Sequence, residues 1–119
     1  MRVADSLGQF EQLVMTAILT LRDDAYGVTI HAKVEELSRP KMVSLGAVYV
    51  TLDRLEDKGL VSSWLSDPTP ERGGRSKRCY RLEKKGERAL RESAVVARRL
   101  WDVLNDELGL LRDRKWGKA

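Results

Sequence analysis

Two short stretches hold the residues with the greatest capacity for chemistry, and that chemistry is anion recognition. Residues 72–81, RGGRSKRCYR, carry five basic side chains and no acid, whereas residues 1–40 carry four basic against six acidic. Cations concentrated in this way suit a polyanion, and Gly73 and Gly74, beside Arg72, Arg75 and Lys77, let a backbone approach a flat surface closely. The second stretch, SLGAVYV at residues 44–50, sets Gly46 and Ala47 beside Tyr49 and Val50, so a segment opening there has little bulk at its front. Covalent chemistry has poorer material. Cys79 and His31 are the single cysteine and the single histidine. A nucleophile needs a base held by a third group, and one thiol with one imidazole cannot build a structural zinc site or an internal disulfide. No catalytic residue, cofactor or metal site is expected.

The chain of 119 residues has room for one domain with a real core. With 42% hydrophobic residues it is too apolar for disorder, and with 34% charged residues it suits a globular protein rich in surface helix. No apolar run approaches the roughly 18 residues of a membrane span, and MRVADSLGQF lacks the pattern of a signal peptide. A cytoplasmic location and no membrane partner follow as expectations.

The apolar spacing Phe10, Leu13, Val14, Ala17, Ile18, Leu21 predicts a one-faced first helix. Asp23 and Asp24 are placed to cap a second, in which Gly27 or Val28, Ile30, His31, Val34 and Leu37 continue the pattern to Ser38 and Pro40. Lys41 to Val43 can pair with a later strand, and Ser44 is a good N-cap for a third helix running to Lys58, with Gly59 as its stop. In that helix Val48, Leu52 and Leu55 share one face, and Gly46, Val50, Asp53, Arg54 and Asp57 lie on the other. Leu60–Leu65 and Cys79–Leu82 read as two strands joined by DPTPERGGRS, a hairpin with a basic tip. From Glu83 onward Leu90, Ala94, Ala97, Trp101, Leu104, Leu108 and Leu111 form a heptad seam, widened by Val96, Leu100 and Val103. Gly109 is expected to end or fray that helix. The division is therefore 1–82 for a DNA-binding domain, 83–111 for a dimerisation helix and 112–119 for a basic flexible tail.

This order is that of a winged helix-turn-helix with an appended dimerisation helix, mainly α with a small β hairpin. In such a fold the third helix enters the major groove of double-stranded DNA by its N-terminal end, where backbone N–H groups and the helix dipole favour phosphate. Gly46 and Ala47 then let the backbone approach, Tyr49 and Val50 meet base edges, and Ser44, Arg72, Gly74, Arg75, Lys77 and Arg78 lie beside the backbone or minor groove. The blocks FEQLVMTAIL, AYGVTI, GAVYVTLDRLEDKGLV and PERGGRSKRCYRL, over about Phe10 to Leu90, resemble the PadR family of bacterial transcriptional regulators. The resemblance implies a dimeric repressor released by a small molecule or stress signal, in the short form with one terminal helix, and places Tyr26 near the DNA backbone. Two positions depart from the family pattern: Cys79 stands where an aromatic is usual, and Glu83 where Thr or Ser often caps the last helix.

Each residue also has a plainer reading. Tyr49 can pack on the second helix, Tyr26 can be half-buried with a wet hydroxyl, and Arg54 is better placed for a salt bridge than for base reading. His31 reads as a packed, hydrogen-bonded side chain and Cys79 as a small buried hydrophobe. Trp101, mid-seam and bulky where Ala94 and Ala97 are small, is a packing anchor or, across a two-fold axis, the platform for a flat apolar or aromatic effector. The competing function is a dimeric interaction module in which Asp53, Glu56 and Asp57 repel phosphate and the ribbon binds an acidic protein.

Overall fold

The computed structural model describes residues 7–67 and 76–116, with side chains as far as residue 112. The elements are α1 (Gln9–Leu21), a 3₁₀ turn (Arg22–Asp24), α2 (Gly27–Ser38), α3 (Leu45–Asp57), β1 (Val61–Leu65), β2 (Arg78–Leu82) and α4 (Lys84–Trp116). The three short helices bury Val14, Met15, Ala17, Ile18, Ile30, Val34, Val48, Leu52 and Leu55, and the hairpin closes this core with Val61 and Tyr80. Only the narrow face of α3 expected from the spacing is buried, together with Thr51. The buried row of α2 is Gly27, Ile30 and Val34. Of the two residues that could open that row, Gly27 is buried and Val28 exposed, and Leu37, expected at its end, is exposed as well.

Caps and turns set the element ends. Glu11 turns back to accept the Gly8 N–H at 2.9 Å, half of a capping box at the start of α1. Its other oxygen accepts Lys58 Nζ at 2.8 Å, tying the start of α1 to the end of α3. Asp23 and Asp24 do not cap α2. They lie in the 3₁₀ turn, and Thr29 caps instead: its Oγ1 accepts the Tyr26 N–H at 3.0 Å and donates to the Asp24 carbonyl at 2.6 Å. After α3, Gly59 takes φ 75°, a left-handed conformation that suits glycine and turns the chain directly into β1.

β1 and β2 pair antiparallel, with Val61 opposite Leu82 and Leu65 opposite Arg78. The third partner of this ribbon is not residues 41–43, which form no strand. It is Tyr26, which bridges Cys79 while the Tyr80 N–H donates to the Ala25 carbonyl at 2.9 Å. Cys79 is buried in this pairing.

The last helix leaves the core obliquely. Glu83, just before α4, turns its carboxylate to Ser62 and accepts Oγ at 2.6 Å, while its N–H donates to the Leu60 carbonyl. A Cβ on Gly86 would overlap that same carbonyl, so a glycine is required for α4 to lie this close to the α3–β1 junction. Ala89 and Leu90 pack against the core, and from Ala94 to Arg112 every residue is exposed. Gly109 does not end the helix: α4 continues through it to Trp116, so residues 112–116 extend the helix rather than begin a tail.

Burial raises the Glu11 carboxyl, but hydrogen bonds from Lys58 and the Gly8 N–H, with the charges of Lys58 and Arg54, outweigh it and hold the pKa below the ordinary 4.5. A carboxylate depressed by folding contributes stability that is present above about pH 4.5 and lost as pH falls through the folded value. Lys58→Met should therefore lower the unfolding free energy at pH 7 by roughly 0.5 to 1 kcal/mol. The difference should shrink below pH 4 in urea titrations. Gly86→Ala should destabilise by about 2 kcal/mol through the carbonyl clash, against the roughly 1 kcal/mol that helix propensity alone would add.

Candidate nucleic-acid interface

The leading end of α3 stands clear of the core. Ser44 is its N-cap, with Oγ accepting the Ala47 N–H at 3.0 Å. Ser44, Gly46, Ala47, Tyr49 and Val50 are all exposed. Gly46 has ordinary helical backbone and nothing within 4 Å of where a Cβ would stand. A glycine inside a helix costs roughly 0.5 to 1 kcal/mol relative to alanine, and neither strain nor internal crowding accounts for this one.

Tyr49 does two things at once. Its phenol lies against the backbone of Gly27, where a Cβ would overlap the ring, and the remaining 41% of the residue stays open. The packing on the second helix thus coexists with an exposed face. Tyr26, immediately before Gly27, is the N-cap of α2 and is half-buried. Over its ring stands Lys77, with Nζ 3.7 Å from the centroid. At that distance the ammonium gains from the ring's quadrupole and is held at the base of the hairpin. Because Tyr26 and Gly27 are consecutive, the Lys77–Tyr26 and Gly27–Tyr49 contacts link the base of the hairpin to the front of α3, with Gly27 itself buried against Tyr49.

Some expected contributors lie elsewhere. Arg72, Gly74 and Arg75, with Gly73, fall outside the described residues. Arg78 turns to Ser63 on the neighbouring strand at 2.9 Å. The charge of Arg54 helps to hold the Glu11 carboxyl down. His31 Nε2 lies 2.6 Å from the Val43 carbonyl. Two residues at the start of α2 carried no site reading from the sequence: buried Gly27, whose smallness is needed by a residue 22 positions on, and exposed Val28.

On α4, Leu90 packs on the chain's own core, so the free seam begins at Ala94. Trp101 is 62% exposed, and Val96, Leu100, Val103, Leu104, Leu108 and Leu111 are also open. No helix among the described residues is long and apolar enough to cross a membrane.

Residues 16–92, more than half of the chain, match the PadR-like transcriptional regulator family. The chain belongs to that family. Similar solved structures include a PadR family transcription regulator from Clostridium difficile, 27% identical, with a TM-score of 0.70, covering 85% of this chain and 99% of the other. A PadR-like transcription factor from Bacteroides fragilis is 28% identical, with a TM-score of 0.64, covering 83% of this chain and 89% of the other. Similarity extends to the Aeropyrum pernix ORC1 protein solved in complex with DNA, 28% identical with a TM-score of 0.60, covering 81% of this chain and 27% of that one. A search of curated protein sequences gave no significant match. As a PadR-like regulator the chain has the winged-helix architecture expected from its element order, with α3 in the recognition position and β1–β2 as the wing.

The Tyr49–Gly27 contact yields a prediction. Gly27→Ala should destabilise by about 1 to 3 kcal/mol through overpacking, and in a Tyr49→Ala background the same change should be close to neutral. Urea unfolding of the four proteins of this cycle measures the coupling.

Proposed function

We propose that this PadR-like regulator is a homodimeric, sequence-specific repressor that acts in the cytoplasm on a two-fold symmetric operator and is released by a small effector. The observation that carries the reading is the run of contacts from Lys77 over Tyr26 and through Gly27 to the exposed Tyr49, on the same helix as the unobstructed Gly46. It offers a cation, two helix N-termini and an accessible backbone on one side of the molecule, the combination that a duplex requires. Likeness to a protein solved with DNA supports the same reading.

In this account Ser44, Gly46 and Ala47 meet the backbone at the groove edge, and Tyr49 and Val50 meet bases. Tyr26 and Lys77, with Arg72, Gly74 and Arg75 of the wing, hold phosphates. Ala94, Ala97, Trp101, Leu104 and Leu108 join two copies, extending from Leu90, and half-sites lie about one helical turn or a small multiple apart. A flat apolar or aromatic effector would stack on Trp101 at the two-fold axis.

Selection from random duplexes at near-physiological salt tests the reading: a two-fold symmetric motif is expected, and an unenriched pool with binding that vanishes as salt rises would overturn it. On the selected duplex, Arg75→Ala should weaken binding to all sequences and flatten the salt dependence, whereas Tyr49→Ala should alter base preference. Leu104→Glu with Leu108→Glu should give monomers in sedimentation velocity while leaving the wing intact.

A further inference from the structure

The chain between α2 and α3 has no strand or helix of its own, yet it sets the direction in which α3 begins. Residues 41–44 are irregular, and Met42 is 87% exposed. Val43, immediately before the Ser44 N-cap, is nevertheless held at both of its backbone polar groups. Its N–H donates to Glu35 Oε2 at 3.3 Å. Its carbonyl lies 2.6 Å from His31 Nε2, and because a carbonyl oxygen only accepts, Nε2 must carry a proton. His31 and Glu35 are one turn apart on α2, with Nε2 and Oε1 separated by 3.7 Å. Ser38 closes the near side of the turn, its carbonyl accepting the Lys41 N–H and its hydroxyl donating to the Lys41 carbonyl.

We propose that His31 and Glu35 are positioning residues for DNA recognition: together they supply to Val43 the two hydrogen bonds that a neighbouring strand would otherwise make, and so fix the angle at which α3 presents Gly46, Ala47, Tyr49 and Val50. Neither side chain reaches the recognition surface. Their effect is on geometry, because Val43 precedes the N-cap directly and its side chain packs against the core, leaving α2 and the first turn of α3 in fixed relation. Without the pair, the turn would be held by Ser38 and the Val43 side chain, and the leading end of α3 would sample several orientations. Phosphate attraction survives such wobble, whereas base reading does not, since a base contact needs its donor or acceptor placed to within a fraction of an ångström.

The inference rests on the proposed DNA reading, and the test separates the two. Amide hydrogen exchange at Val43 in the full-length protein reads the clamp without DNA: Glu35→Ala should raise the exchange rate at Val43 by about tenfold, whereas Glu35→Gln, which keeps an acceptor oxygen, should leave it near the parent rate. On the selected operator and a scrambled duplex, His31→Ala and Glu35→Ala should each lower the ratio of specific to non-specific affinity about tenfold. Non-specific affinity and its salt slope should be unchanged. His31→Gln, whose Nε2 keeps a donor at nearly the same reach, should restore the ratio. An unchanged exchange rate at Val43 in Glu35→Ala would overturn the clamp whatever the protein binds. Faster exchange with an unaltered affinity ratio would overturn its role in recognition. A parent protein that selects no motif would count against the DNA reading itself, leaving the exchange result to decide the clamp.

Discussion

The carbonyl oxygen of Leu60 is where the architecture is joined. The same residue donates its N–H to the Leu55 carbonyl, finishing α3, and accepts the N–H of Glu83, starting α4. Gly59 must adopt positive φ to deliver the chain there, and Gly86 must lack a side chain for α4 to lie across it. The helix α3, the wing and α4 thus meet at one residue, so none can reorient without disturbing the others. A buried carbonyl with its partner removed is costly, which makes this junction a rigid hub rather than a hinge.

How much of this was legible in the sequence depended on the range of the interaction. The faces of α1 and α3, the Ser44 cap, the Gly59 stop and the seam of α4 follow from periodicity or from one residue's conformational preference, and neighbours within a few positions determine both. The exposure of Val28 and Leu37 does not follow from it, because periodicity says which residues share a face and not whether another element covers it. Gly109 was read as a stop, yet a lone glycine costs a long helix only about 1 kcal/mol. Residues 41–43 form no strand because Tyr26 already occupies the place beside Cys79.

The candidate interface divides in the same way. Gly46 and Ala47 were recognisable from smallness in a helix's first turn, and Lys77 from local charge. That Lys77 stands over Tyr26, and that Tyr49 leans on Gly27, depends on contacts between elements far apart in sequence. Because Tyr26 and Gly27 are adjacent, these two contacts together connect the wing to α3. Tyr49 illustrates why a contact with the protein's own backbone does not argue against an outward role: its hydroxyl end lies against Gly27 while 41% of the residue stays open.

The 33 residues of α4 make a rod of roughly 50 Å, fastened to its own core only through the first two or three turns. A rod held at one end is a lever. Where two such rods cross near their midpoints, each wing rides about 25 Å from the crossing, so a change of about 10° in crossing angle displaces it by roughly 4 Å, close to one base-pair step of a duplex. Small repacking around Trp101 would thus be magnified at the far ends. In the proposed dimer the length of the last helix, more than any side chain at the front of α3, would set how finely the separation of the two DNA-binding ends could be tuned.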